Sequence, residues 1–197
     1  LRCAEYIDYV LGKEEDVGAV IIETIRCTDV EIPPPDYYRI VRAACDRHGA
    51  LLILDEVPIG LGRTGTMFAF ERYGIVPDMV VLGKGLGGAV FPMAALIARR
   101  DLDVAGDRAL GHYTHEKSSG GCAAALATLD VIEDEGLLGN ARDTGAYLAG
   151  GLCDLASRHD CLGAVRGAGL CWGRGGTRWR RWGGNWWGCL PRRRRRR

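Results

Sequence analysis

Two charged residues close two apolar runs. Asp55 ends Leu51-Leu52-Ile53-Leu54, and Lys84 follows Met79-Val80-Val81-Leu82-Gly83, 29 positions further on. Short aliphatic runs of this kind predict buried parallel strands. Open α/β sheets place their ligands beyond the carboxyl ends of such strands, so both side chains are expected at a ligand site. Only three of the 26 basic residues are lysines: Lys13, Lys84 and Lys117. A lysine set between a strand end and Gly85-Leu86-Gly87-Gly88 is well placed to use its amine rather than its charge. Lysine amines form imines with carbonyl groups, and an aspartate facing a pyridinium nitrogen is their usual companion in pyridoxal-phosphate chemistry.

Other constellations are weaker. Gly60-Leu61-Gly62-Arg63-Thr64-Gly65 matches the dinucleotide fingerprint G-x-G-x-x-G. Asp55 and Glu56 stand in front of it, however, where they would repel a pyrophosphate, and Asp78 precedes its strand instead of ending one. Leu52-Ile53-Leu54-Asp55-Glu56 resembles the acidic strand of a P-loop ATPase, but no G-x-x-x-x-G-K-[ST] occurs. His112, Tyr113, Thr114, His115, Glu116 and Lys117 form a polar loop ahead of a helix start, where free N–H groups favour anions. A solvated surface loop explains the same residues. Two histidines without a third ligand are a poor metal site, and none is expected. Glu23, after its own apolar run, reads as a salt-bridged structural acid more readily than as a catalytic one.

Position in the chain supplies the frame. Helical spacing is predicted from about Ala4 to Leu11, and from Asp36 through Tyr37, Ile40, Val41 and Ala44 to a stop at Gly49. Strands are predicted over Val17–Ile22, Ala50–Leu54, Met79–Leu82 and Ala94–Ala98, with a short helix near Met67–Tyr73. Ser118 or Ser119 is placed to cap a long helix through Cys122, Leu126, Leu129 and Ile132. Gly136 and Gly139 then separate it from another over about Ala141–Arg158. Strand and helix alternate as in an α/β fold: a mainly parallel sheet with helices on both faces, here incomplete.

Eight cysteines occur without a C-x-x-C pair, and Cys45, Cys122 and Cys153 read as buried reduced thiols of a cytoplasmic protein. No apolar run is long enough to cross a bilayer, so no membrane partner is expected. Ten of the 26 basic residues fall from Arg174 onward, where there is no acid. The body before it holds 16 bases against all 25 acids, a net of −9, which gives no nucleic-acid footprint. All five tryptophans also lie in the last 26 residues, and the chain closes in six arginines, Arg192 to Arg197. Stacking aromatics among arginines could serve a nucleic-acid arm. The abrupt change of composition points instead to out-of-frame translation of a GC-rich message. Two segments are therefore expected: a domain over 1–173 and a non-native, disordered tail over 174–197. The chain opens on Leu1 instead of Met, so a preceding segment is expected.

Leu54-Asp55-Glu56-Val57, Gly60-x-Gly62-Arg63-Thr64-Gly65, Pro77-Asp78 and Gly83-Lys84-Gly85-Leu86-Gly87-Gly88 together resemble the class III aminotransferases, which are fold-type I pyridoxal-phosphate enzymes. The similarity runs from about Ala4 to Gly173. It implies a partial large domain that binds pyridoxal 5'-phosphate and moves an amino group between an amine or amino acid and a keto acid. By this resemblance Lys84 would hold the cofactor covalently and then shuttle a proton. Asp55 would pair with the ring nitrogen, and Val57 would pack on a ring face. Thr114 would reach the cofactor phosphate across the interface of a homodimer. Three positions depart from the family pattern: Pro58 where glutamine is usual, and Thr24 and Ser119 where proline is common. The family's phosphate loop and stacking aromatic would lie upstream of Leu1, and its small domain after Gly173. The loop from Gly111 to Ser118 further resembles a subgroup assigned as ammonia-lyases on hydroxy-aminoethylphosphonate, in which elimination replaces transfer. An inactive truncated remnant is the non-enzymatic alternative.

Overall fold

The computed structural model describes residues 1–14, 16–108, 111 and 113–174. His112 and the tail from residue 175 lie outside the described residues. Four strands, β1 (Ala19–Glu23), β2 (Leu51–Asp55), β3 (Met79–Leu82) and β4 (Ala95–Ala98), form one sheet in that order. β1, β2 and β3 run parallel, and β4 closes the edge antiparallel. The sheet is thus mixed and mainly parallel, as the alternating pattern predicts.

Side chains alternate across a strand, and here the alternation separates two environments. Val20, Ile22, Leu52, Leu54, Val80 and Leu82 share one face, on which Leu52 and Leu54 are fully buried. Each such side chain contributes about 1.5–3 kcal/mol by leaving water. Helices α1 (Arg2–Leu11) and α2 (Tyr37–His48) cover one half of this face through Ala4, Leu11, Tyr38, Val41, Ala44 and Cys45. Helix α3 (Ser119–Asp134) covers the other half, with Ala125 in the cluster of Val80, Leu82 and Leu86. Among the described residues the opposite face stays open: Ile21 is 65% and Leu96 59% exposed.

Local chemistry accounts for most element ends. Gly49 takes a left-handed φ of 71° and donates its N–H to the Cys45 carbonyl, ending α2. The buried Tyr38 hydroxyl donates to the carbonyls of Glu23 and Thr24 at 2.8 and 3.0 Å, fixing that helix to the end of β1. Ser118 caps α3 by accepting the Gly121 N–H. Helix α4 (Leu137–Arg158) starts four residues before the expected Ala141, because Gly136 alone makes the break at φ 63°. Gly139 sits inside its first turn, where a glycine costs about 1 kcal/mol. A hairpin of β5 (Val165–Ala168) and β6 (Cys171–Arg174) follows. The buried-thiol expectation holds for Cys45 but not for Cys122 and Cys153, which lie on the outward sides of α3 and α4.

Asp78 pins the start of the sheet. Its carboxylate accepts the Leu52 N–H, Arg42 Nη1 and Arg99 Nη1, each at 2.7 Å, while its backbone N–H donates to the Leu52 carbonyl at 2.9 Å. Burial pushes the carboxyl up, but the Leu52 amide and the two guanidiniums outweigh it and hold the group below its ordinary value. A carboxylate whose folded pKa is depressed stabilises the fold above its unfolded value, and that contribution is lost as pH falls through the folded one. Chemical denaturation of Asp78→Ala is expected to show a loss of about 3 kcal/mol at neutral pH. The variant should also lack part of the acid-induced drop in stability below about pH 4. Wild-type stability in the variant at neutral pH would remove Asp78 as the pin.

Candidate functional site

The register Glu23↔Asp55 and Asp55↔Val81 brings the carboxyl ends of β1, β2 and β3 level. Asp55 lies in the phase of Leu51 and Ile53, so it belongs to the open face, beside Glu23. Its Oδ1 accepts the Val57 N–H at 2.9 Å, which curls the chain into a short hook. Among the described residues Oδ2 has no hydrogen bond and the carboxylate has no ion pair.

Val57 reaches across to the next strand. A Cβ built on Gly83 would stand 3.3 Å from Val57 Cγ1, closer than most contacts of this kind, so the isopropyl group rests on the backbone just before Lys84. Lys84 opens a four-residue 3-10 turn, Lys84–Gly87, with φ 48°. That left-handed conformation costs a side chain with a Cβ roughly 1–2 kcal/mol. The lysine is exposed, and among the described residues its amine has no ion pair or hydrogen bond. Asp55, Val57 and Lys84 therefore gather on the rim of two adjacent strands. Val57, Leu61, Gly83 and Gly85 also line a cavity of about 250 Å³ closed by Ile132 and Asn140.

Thr114 is not part of this group. It lies exposed in a separate concavity of about 490 Å³, lined by residues Tyr113 to Ser119 ahead of α3. Glu23 is structural in a different way from that expected. Its Oε2 accepts the Cys27 N–H at 3.0 Å, and no ion pair to it exists among the described residues. No cluster of three or more metal-ligating side chains occurs among them either, and none of their helices is long and apolar enough to cross a membrane.

The glycine-rich loop owes its composition to packing. A Cβ on Gly62 would meet Leu138 at 2.9 Å and one on Gly65 would clash with Arg142 Cγ, so α4 sits where a bound phosphate would need room. Arg142 Nη1 also donates to the Gly65 carbonyl. Beneath the loop lies Glu56, 1% exposed, whose role the sequence reading missed. Its Oε1 accepts from Thr24 Oγ1 at 2.9 Å and from the Phe70 N–H at 2.9 Å; its Oε2 accepts the Ala69 N–H at 2.7 Å. Burial pushes this carboxyl above its ordinary value, and the Ala69 amide, the Thr24 hydroxyl and the Phe70 amide offset that only in part. One signal was available: Glu56 continues the phase of Leu52 and Leu54, which points into the core.

The residues present suit a flat cofactor bearing an aldehyde and a ring nitrogen. Among the described residues an Asp55 oxygen and the Lys84 amine have no hydrogen bond or ion pair; they stand at neighbouring strand ends, where Val57 rests on Gly83.

Comparison with known proteins agrees with this chemistry. The sequence profile of the family described as Aminotransferase class-III matches residues 1–175. An (R)-1-hydroxy-2-aminoethylphosphonate ammonia-lyase of Vibrio splendidus is 44% identical over 170 residues, 86% of this chain and 36% of that protein. An uncharacterized aminotransferase of Bacillus subtilis is 41% identical over 86% of the chain and 40% of its own length. Among solved structures, a thermostable (S)-enantioselective ω-transaminase from Thermomicrobium roseum superposes with a TM-score of 0.80 at 34% identity, covering 86% of this chain and 39% of that one. A taurine:2-oxoglutarate aminotransferase from Bifidobacterium kashiwanohense, solved with PLP and glutamate, gives 0.80 at 30% identity over 86% and 39%. The chain thus spans about two fifths of the length of the relatives it matches. A profile match over residues 1–175, joined to a superposition at a TM-score of 0.80 and 34% identity, makes this chain a member of the class III aminotransferase family.

Proposed function

We propose that the intact protein is a pyridoxal-phosphate-dependent transaminase with Asp55, Val57 and Lys84 as its cofactor site. The observation that carries this reading is the placing, at adjacent parallel strand ends, of an Asp55 oxygen and a Lys84 amine that have no partner among the described residues. When bound, the cofactor supplies an aldehyde for amine capture and a ring that accepts electrons from the substrate carbon.

The chain's own residues do the rest. The Lys84 amine would hold the cofactor covalently and would also be the group that moves the proton of the substrate carbon. Asp55 would stand at the ring nitrogen and hold a proton there, since an opposite charge in contact favours the protonated form. The hook to the Val57 N–H fixes one Asp55 oxygen and aims the other. Val57, braced on Gly83, fixes the plane of the ring. Pro58 has no side-chain donor for a phenolic oxygen, which leaves that part of the ring without the bond glutamine would give.

Thr114 fits this reading as a residue offered to a partner subunit's cofactor phosphate. It is exposed, it lies ahead of the α3 amino terminus, and it stands apart from its own chain's Asp55 and Lys84. A cytoplasmic homodimer is the implied setting.

A second reading rests on a separate observation. The Vibrio splendidus relative, at 44% identity, is named an ammonia-lyase, and the loop from Gly111 to Ser118 resembles that subgroup. Amine capture and carbanion formation are common to both reactions. They part only at the next step, where the amine nitrogen is either kept for a keto acid or released.

Borohydride reduction of the intact protein with pyridoxal phosphate, followed by peptide mapping, should place the added mass on Lys84. Mass on another lysine, or on none, would remove the proposal. Turnover is expected to vanish in Lys84→Ala and to fall about 100-fold in Asp55→Asn, roughly 2.7 kcal/mol of barrier. Near-normal rates in either variant would contradict the assigned roles. Ammonia measured without any keto acid decides the outcome: stoichiometric release favours elimination, and dependence on the acceptor favours transfer.

A further inference from the structure

Glu56 is the one fully buried carboxylate among the described residues that the proposed chemistry leaves unused. It sits between the two residues that matter most, Asp55 and Val57. All three of its partners are donors: Thr24 at the end of β1, and the Ala69 and Phe70 amides at the start of the 3-10 turn Ala69–Tyr73. No cation pairs with it among the described residues, and the charge acting on it most there is another carboxylate, Glu71. Donors alone converge on it, so the ionised form is the one that satisfies every group.

Its main chain is tied as firmly. The Glu56 N–H donates to the Val81 carbonyl at 3.0 Å, prolonging the β2–β3 ladder toward Lys84. Its carbonyl accepts the Gly60 and Ile59 N–H groups at 2.8 and 3.1 Å, setting the turn that follows. The residue therefore joins β1, β2, β3 and the 3-10 turn at one point. With Glu56 drawn inward, the Asp55 carboxylate on the open face is tied through Oδ1 to the Val57 N–H.

We propose that Glu56 is a positioning residue: its buried carboxylate, held by Thr24, Ala69 and Phe70, locks the 55–57 hook and so sets the direction in which Asp55 presents its free oxygen. The inference rests on the cofactor reading above and adds to it the residue that orients the ring partner. A merely structural clamp would affect folding stability and nothing else.

The test uses the intact protein and its Glu56→Gln variant. Glutamine keeps the shape but turns an NH2 group toward a donor, so one of the three bonds is lost. Apoprotein titrated with pyridoxal phosphate, followed by absorbance well below the melting temperature, should show the dissociation constant raised about tenfold. The pH midpoint of the bound cofactor's absorbance should shift in the same direction as in Asp55→Asn. In an Asp55→Asn background, adding Glu56→Gln should change affinity and kcat less than about twofold, because a residue that works through Asp55 has nothing left to orient. Multiplicative effects in the double variant, or wild-type affinity and spectrum in the single one, would overturn the proposal. Should Glu56→Gln not fold, Thr24→Val removes one donor only and should weaken cofactor binding two- to threefold with the same spectral shift; an unchanged spectrum there also overturns it. Failure of unsubstituted protein to fix cofactor on Lys84 removes both readings, whereas normal fixation with unaltered variants removes this one alone.

Discussion

Parallel pairing of β2 with β3 is the constraint on which everything else hangs. Parallel strands deliver all their carboxyl ends to one rim, so whatever residues follow them become neighbours however far apart they are in sequence. The pairing Asp55↔Val81 sets that rim here and leaves Lys84 three residues past it. A slip of one residue in β2 would turn Asp55 into the helix-covered face and expose Leu54. Asp78 opposes that slip at the other end, gripping Leu52 through both its amide and its carbonyl. The geometry of the rim is thus secured partly by a residue at the amino-terminal end of β3, away from the rim itself.

The glycine loop shows why a motif needs its surroundings. Gly60 to Gly65 satisfies the spacing of a phosphate loop, yet Leu138 and Arg142 of α4 occupy the space the glycines leave. Small residues permit close approach, and the approach can be made by a helix as readily as by a ligand. Two acids before the loop already argue against an anion there, and the burial of Glu56 beneath it completes the case.

Much of the architecture is legible from pattern. Met79–Leu82 is a run of large aliphatics between Asp78 and Gly83, and it forms the strand at those bounds. Gly49 ends α2 because a left-handed residue was needed where the periodicity stops. Other features are silent for physical reasons. Val165-Arg-Gly-Ala is too short and too poor in apolar residues to declare a strand, and it exists through its pairing with β6. Cys122 and Cys153 look buried by residue type, but the phase of each helix decides which side faces out, and a cysteine carries little weight in that phase. Asp55 and Lys84 could be selected because strand ends are where chemistry gathers. For Glu56 the strand phase signals burial alone, because the amides of Ala69 and Phe70 that hold it are brought there only by the folded turn.

Two buried acids hold this site by opposite means, and the difference bears on the chemistry. Asp78 is satisfied by two guanidiniums, which suits a lock placed away from the rim. Glu56 is satisfied by amides and a hydroxyl, which carry no net charge. Had an arginine served Glu56 instead, its charge would stand one residue from Asp55 and would draw that carboxylate into an ion pair. Neutral donors secure the hook without such competition. Among the described residues one Asp55 oxygen is thereby left without a hydrogen bond, open to the ring nitrogen of the proposed cofactor.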